Sequence, residues 1–311
     1  MINKNFKGWL NENGNQNLIK QFDDSIKKLN DHKQVKINTE IENHSHLLYM
    51  FLHEIIGYKN LIYFRLYDLS SSLIPLIEVK NYTSAVLICR ALFETNAMYA
   101  FRMERLTKLI FNKKWRELYV EILNFRMLPS WKEDGDINWE KVFPGLKKFH
   151  INDAIRCLSL AGENKKEVDF LEKELFTHYA KMSEICHPNQ ANRQLYVFDR
   201  DKIDLEKRNK RVFRDNFSVN HADKTVFPIF ENTMNGFLSL DKFANGIFIN
   251  IMDSIIKNKT ELELYDKSSK SKDDMFKVQP ILEEIKTLTD KGYSPKEMVD
   301  EIMKKSYKIK K

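Results

Sequence analysis

Apolar side chains recur at the spacing of an α-helix along most of this chain. Between residues 40 and 69 they fall at steps of three, four and seven, as in Leu48, Leu52 and Ile55, and such steps place them on one broad stripe of a helix. The same periodicity predicts further helices at about 18–29, 81–109, 113–127, 149–160, 166–186 and 226–256, and a helical pair between 281 and 305.

Three positions are expected to shape the ends of these helices. Asn81 begins a polar stretch that can cap the helix that follows it. Pro75 should kink or restart the path, because proline lacks the N–H donor of a helix interior. Gly292 should break the C-terminal pair into two short helices.

Turn-forming residues are scarce, and this decides the fold class. The 311 residues include 9 glycines and 7 prolines, too few for an all-β fold, and 42% hydrophobic residues, enough for a sizeable core. We therefore predict an all-α protein with a multi-helix bundle of roughly five to seven helices over 40–258. Residues 1–39 are expected to form a polar N-terminal segment. Residues 259–311 are expected to form a linker and a small C-terminal helical appendage with a basic tail.

Charge and cysteine content restrict the compartment and the partners. The chain carries 51 Lys and Arg against 44 Asp and Glu, a net charge of +7, which permits an anionic partner without requiring one. Its three cysteines lack the CxxC spacing of a zinc site, and their odd number argues against a disulfide framework. We expect a cytoplasmic protein that binds no cofactor.

No segment predicts insertion into a membrane. The N-terminus lacks the long apolar stretch of a signal peptide or an anchor. The most apolar window, 83–101, contains Arg90 and Glu94 near its centre, and such charges make a membrane span unfavourable.

Two polar clusters within apolar helical segments form the strongest candidate site. Arg90 and Glu94 lie four residues apart on one helical face, and Ser183, Glu184 and His187 lie at the end of a later helix. Such groups are costly in a helical core unless partners satisfy them, so we predict a polar site shared by the two helices. The alternative is a structural ion pair that fixes the register of the helices.

His187 has two interpretations. It precedes Pro188 and should therefore end its helix, where the helix dipole favours the imidazolium form by up to about 2 kcal/mol. A histidine in that state can transfer a proton or bind phosphate, but a histidine is also a common C-terminal cap. Ser183 and Glu184 can approach it, although the absence of a glycine-rich elbow argues against a hydrolase triad.

These motifs resemble those of known families. R-x-x-x-E at Arg90 and Glu94, followed by S-E-x-x-H-P from Ser183, resembles an uncharacterised bacterial helical family, domain of unknown function 5677, over roughly 41–256. That resemblance implies an all-helical, intracellular protein of unassigned activity. The arrangement is also similar to the HEPN superfamily (higher eukaryotes and prokaryotes nucleotide-binding), many of whose members are RNA-cleaving toxins or defence proteins.

The HEPN resemblance implies roles for particular residues. In that superfamily the motif R-x(4–6)-H supplies an arginine that binds the scissile phosphate and a histidine for acid/base chemistry. Here Lys181 stands six residues before His187, where the motif has arginine. Arg90, delivered from the other helix, is the candidate for the missing guanidinium.

Other clusters predict nucleic-acid contacts but no metal. A basic run with nearby phenylalanines can bind single-stranded nucleic acid or form a solvated loop. With Lys181, its candidate residues are Lys207, Arg208, Lys210, Arg211 and Arg214. His46 and His53 are seven residues apart, too far along a helix to share one ion, so we predict no metal site.

Two functions of different classes follow from these features. The first is an HEPN-like bacterial protein that acts on RNA or a nucleotide, as a toxin or phage-defence effector, with a metal-independent ribonuclease activity. The second is a non-catalytic helical module that binds a partner protein and uses Arg90, Glu94 and His187 as a buried structural network. In either case we expect a homo-oligomer.

Overall fold

The protein is described from a computed structural model, over residues 5–32, 46–126, 150–160, 164–186, 222–267, 287, 290–293, 297 and 301. Within these residues the chain forms ten helices and no strand, which confirms the predicted all-α class. The helices are α1 (Phe6–Glu12), α2 (Leu18–His32), α3 (His46–Glu78), α4 (Tyr82–Phe111), α5 (Trp115–Arg126), α6 (Ile151–Ser159), α7 (Lys165–Cys186), α8 (Ala222–Thr225), α9 (Phe227–Lys257) and α10 (Lys259–Asp266). No helix among these residues is long and apolar enough to cross a bilayer.

The helix ends follow local chemistry. Asn81 caps α4 as predicted, since its Oδ1 accepts a hydrogen bond from the Ser84 backbone N–H at 3.4 Å. The chain does not restart at Pro75, because α3 runs through it to Glu78 and the backbone N–H of Val79 bonds the Pro75 carbonyl. Gly292 has φ of 78°, a left-handed conformation that suits glycine and ends regular helix, as predicted for this break.

Three short helices were not predicted: α1, α8 and α10. Asn5 caps α1 by accepting a hydrogen bond from the Gly8 N–H at 2.8 Å, and α10 occupies part of the predicted linker. In α1 the buried side chain of Phe6 lies 5.3 Å from the ring of Phe227 and 5.6 Å from that of Phe230. Tertiary aromatic packing therefore stabilises a helix that is too short to form alone.

The described residues cluster into two compact units, each built from separated stretches of chain. The first unit draws on Met1–Val35, Lys59–Arg102 and Ile151–Gly246, and the second on Lys36–Tyr58, Met103–His150 and Ile247–Lys311. The predicted boundary at 258/259 lies inside the second unit, and the one at 39/40 lies outside the described residues.

The core of the first unit includes much of α4. Its buried residues include Ala85, Cys89, Leu92 and Ala97, each 0% exposed, as expected for a helix that is apolar nearly all round. The same unit buries Phe22 of α2 against Phe237, with ring centroids 5.0 Å apart. The N-terminal stretch thus supplies core residues rather than a purely polar segment.

The second unit has its own core and ion pairs. Leu118 and Ile122 of α5 are fully buried. Glu121, 1% exposed, pairs with Arg105 at 2.6 Å, and Lys113 pairs with Glu261 at 2.6 Å. Losing one partner of a buried pair leaves an uncompensated charge, so Arg105 and Glu121 have a structural role.

Candidate functional site

The predicted ion pair is present on α4. The Nε of Arg90 donates to Oε1 of Glu94 at 2.8 Å across one helical turn. Their side chains are 28% and 37% exposed, so the pair is partly buried rather than enclosed in the core. Each side chain is therefore partly accessible to solvent.

Tyr179 of α7 joins this pair. Its hydroxyl donates to Oε1 of Glu94 at 2.9 Å and accepts from Nη2 of Arg90 at 3.2 Å. The three side chains therefore form a closed ring of hydrogen bonds between α4 and α7. Burial would lower the pKa of Arg90, but its bonds to Glu94 and Tyr179 raise it above the ordinary value, so the guanidinium stays charged.

Aromatic rings hold Tyr179 in place. The Arg90 guanidinium carbon lies 5.3 Å from the Tyr179 ring centroid, within the range of a cation–π contact. The Phe93 ring stacks on Tyr179 with centroids 5.8 Å apart and an interplanar angle of 27°. These contacts depend on the ring of Tyr179 and not on its hydroxyl.

A second polar group, His178, contacts the aromatic ring of Phe93. His178 contacts Phe93 edge to face at 5.8 Å, and its Nε2 lies 3.4 Å from the Thr233 hydroxyl of α9. Burial, with a smaller effect of the Lys181 charge, lowers the pKa of His178 to about 4. The imidazole is therefore neutral at neutral pH. Burial raises the pKa of the Cys89 thiol to about 12, although hydrogen bonding with Thr233 acts to lower it.

Cys186, the last residue of α7, connects the two predicted clusters. Burial raises the pKa of its thiol, although a hydrogen bond from Arg90 and the Arg90 charge favour the thiolate. The charge of Arg90 therefore acts on the C-terminal end of α7.

The remaining predicted site residues divide by position. Ser183, partly buried, and Glu184, exposed, lie in the last turn of α7, and Lys181 is exposed on the same helix. His187 and the basic residues Lys207, Arg208, Lys210, Arg211 and Arg214 lie outside the described residues. Their assignments stay predictions.

Tyr179, His178 and Thr233 were missed at the sequence level. One signal was present for Tyr179: it precedes Cys186 by seven residues, so the two share a helical face. The sequence contains no pattern that indicates the role of Thr233, because its contact with His178 joins residues 55 positions apart and depends on tertiary packing.

The arrangement can bind an anion at a polar surface. A permanent cation, held by a carboxylate and a phenol and partly exposed, suits phosphate recognition by arginine. No group of three or more His, Cys, Asp or Glu among the described residues could hold a metal ion. Comparison with protein-family models, with curated proteins and with solved structures finds no match for this chain.

Proposed function

We propose that this protein acts on RNA or a nucleotide through a phosphate-binding site built around Arg90. One observation carries the proposal: the Arg90 guanidinium contacts α7, where its Nη2 donates to the Tyr179 hydroxyl at 3.2 Å and its charge acts on the thiol of Cys186, the last residue of the helix. His187 follows Cys186 in the sequence, and consecutive Cα atoms are about 3.8 Å apart. The helix that Arg90 contacts therefore ends at the residue directly before the histidine assigned to proton transfer.

The chemistry proposed is cleavage of RNA through its own 2′-hydroxyl. His187 takes the proton as this oxygen attacks the adjacent phosphorus, the bond to the 5′-oxygen breaks, and that oxygen takes a proton from a water molecule. The protonated His187 then returns its proton to solvent. A cyclic phosphate and a 5′-hydroxyl result. Arg90, oriented by Glu94, offsets the charge that develops on the phosphoryl oxygens.

The neighbouring residues have supporting roles in this proposal. Ser183 and Glu184 precede His187 by four and three residues, a spacing of about one helical turn, and in this proposal they orient its ring. Lys181 and the basic run from Lys207 to Arg214 contact the phosphates of the flanking nucleotides, which supplies affinity independent of sequence.

The biological context is proposed from the resemblance to HEPN proteins. A cytoplasmic toxin or phage-defence effector fits an RNA-cleaving site. Free thiols at Cys89, Cys157 and Cys186 are compatible with a reducing compartment. We also propose a homo-oligomer, as is common for intracellular proteins.

A second function, binding of a partner protein, is favoured by the surface of α7. Only Met182 and Ile185 are buried along its 22 residues, all of which are described. Phe170 on this helix is 62% exposed, and Leu160 just after α6 is 57% exposed. In this second proposal a partner protein covers these exposed apolar side chains.

The experiment that separates the two functions uses the wild-type protein. The purified, folded chain is incubated with end-labelled RNA in the presence of EDTA, and it is also expressed from an inducible promoter. We expect defined cleavage products and arrested growth. Intact RNA together with normal growth would refute the enzymatic proposal and leave partner binding.

A further inference from the structure

The hydroxyl of Tyr179 has a defined direction of hydrogen bonding. Its proton is donated to Oε1 of Glu94 at 2.9 Å, so a lone pair faces the Nη2 donor of Arg90 at 3.2 Å. Burial, with the hydrogen bond to Glu94, raises the Tyr179 pKa above its ordinary value, so the hydroxyl keeps this proton. A phenylalanine could pack here but could make neither bond.

Arg90 and Tyr179 both donate a hydrogen bond to the same carboxylate oxygen of Glu94. Oε1 of Glu94 accepts from Nε of Arg90 at 2.8 Å and from the Tyr179 hydroxyl. Arg90 is thereby held by Glu94 through its Nε and by Tyr179 through its Nη2. Fixing the guanidinium at two of its nitrogens restricts rotation about its terminal bonds, which a single ion pair on a helix surface does not achieve.

The hydrogen-bonded side chains of Arg90, Glu94 and Tyr179 are also suited to positioning because they are not fully buried. The Arg90 and Glu94 side chains are 28% and 37% exposed, so a dissolved phosphate can reach the guanidinium. A partly exposed ion pair contributes little to stability, whereas a preoriented guanidinium reduces the entropy cost of phosphate binding.

We propose that Tyr179 is a positioning residue, whose hydroxyl holds the guanidinium of Arg90 in the orientation that receives the RNA phosphate. This inference deepens the proposed function and rests on it. Tyr179 does not touch the reacting atoms. It acts through Arg90, while Phe93 stacks on its ring and keeps it in place.

The test compares Tyr179→Phe with wild type, with Tyr293→Phe as control. Tyr179→Phe removes only the hydroxyl and keeps the ring contacts, and Tyr293 is an exposed tyrosine of the second unit. We expect kcat/KM for labelled RNA to fall about 10-fold, the loss of a hydrogen bond to a charged group. The melting temperature should hold, and Tyr293→Phe should match wild type.

A second measurement is independent of RNA. In a 15N-labelled sample, the Arg90 Nε–H resonance is assigned by its absence in Arg90→Lys, and its exchange with solvent is measured. We expect faster exchange in Tyr179→Phe, because the guanidinium is less restrained.

The outcomes separate the two claims. If the Arg90 Nε–H exchanges at the wild-type rate in Tyr179→Phe, the positioning role is overturned, whatever the result of the RNA-cleavage assay. A wild-type kcat/KM in Tyr179→Phe overturns it as well. A collapse of the melting temperature would assign the hydroxyl to folding and also overturn it. If wild type cleaves no RNA but exchange is faster in Tyr179→Phe, the proposed function fails and the positioning of Arg90 is supported.

Discussion

Replacement of His187 by alanine is expected to slow RNA cleavage by about 10²–10⁴-fold, the usual contribution of a general acid or base. The physical reason is that the 2′-hydroxyl is a poor nucleophile until a positioned group removes its proton. The measurement is single-turnover cleavage of labelled RNA by the purified variant, with its melting temperature recorded alongside.

The matched control is His150→Ala. His150 is an exposed histidine just before α6, so its loss should leave both the rate and the melting temperature unchanged. If His187 merely caps α7, its replacement would instead lower the melting temperature and leave the rate per folded molecule intact. That pattern would remove His187 from the chemistry.

Acidification is expected to destabilise the fold through His178, by up to about 3 kcal/mol between pH 6.5 and pH 4. The folded pKa is about 4, against an ordinary value of 6.5. Between these values the unfolded chain binds more protons than the folded one, so stability rises with pH. The contribution of neutral His178 to the free energy of unfolding is complete above pH 6.5 and is lost as the pH falls towards 4.

Urea denaturation of His178→Gln against wild type measures this contribution. The variant cannot titrate in this range but keeps a polar group that can reach Thr233. We expect the difference in unfolding free energy between the two proteins to change by up to about 3 kcal/mol between pH 6.5 and pH 4. The unfolding free energy of His150→Gln should show the same pH dependence as that of wild type. A parallel pH dependence in His178→Gln would assign the acid sensitivity to other groups.

The parts of the fold that could be predicted are those decided locally. Periodic apolar residues located α4 (Tyr82–Phe111) and α7 (Lys165–Cys186) to within about two residues of their predicted ends. The pairing of Arg90 with Glu94 follows from spacing along one helix, and it is present. Each of these features needs only the sequence around it.

The parts that could not be predicted depend on residues distant in the chain. The partner of Glu94 on α7 is Tyr179, 85 residues away, and the pattern of α7 alone does not show which face meets α4. The short helix α1 escaped prediction for the same reason, since the ring of Phe6 packs on Phe227 of α9. Polar composition predicted a polar segment here, and tertiary aromatic contacts stabilise a helix instead.

The central claim, that Arg90 and His187 act in one site, is tested most directly by a double-mutant cycle in the RNA-cleavage assay. Rate constants are measured for wild type, Arg90→Ala, His187→Ala and the double variant, each after its fold has been verified. We predict non-additive losses, with a coupling of about 0.5–3 kcal/mol, as for residues that contact or share partners. Losses that add to within about 0.3–0.5 kcal/mol would mean two independent features and would contradict a shared site.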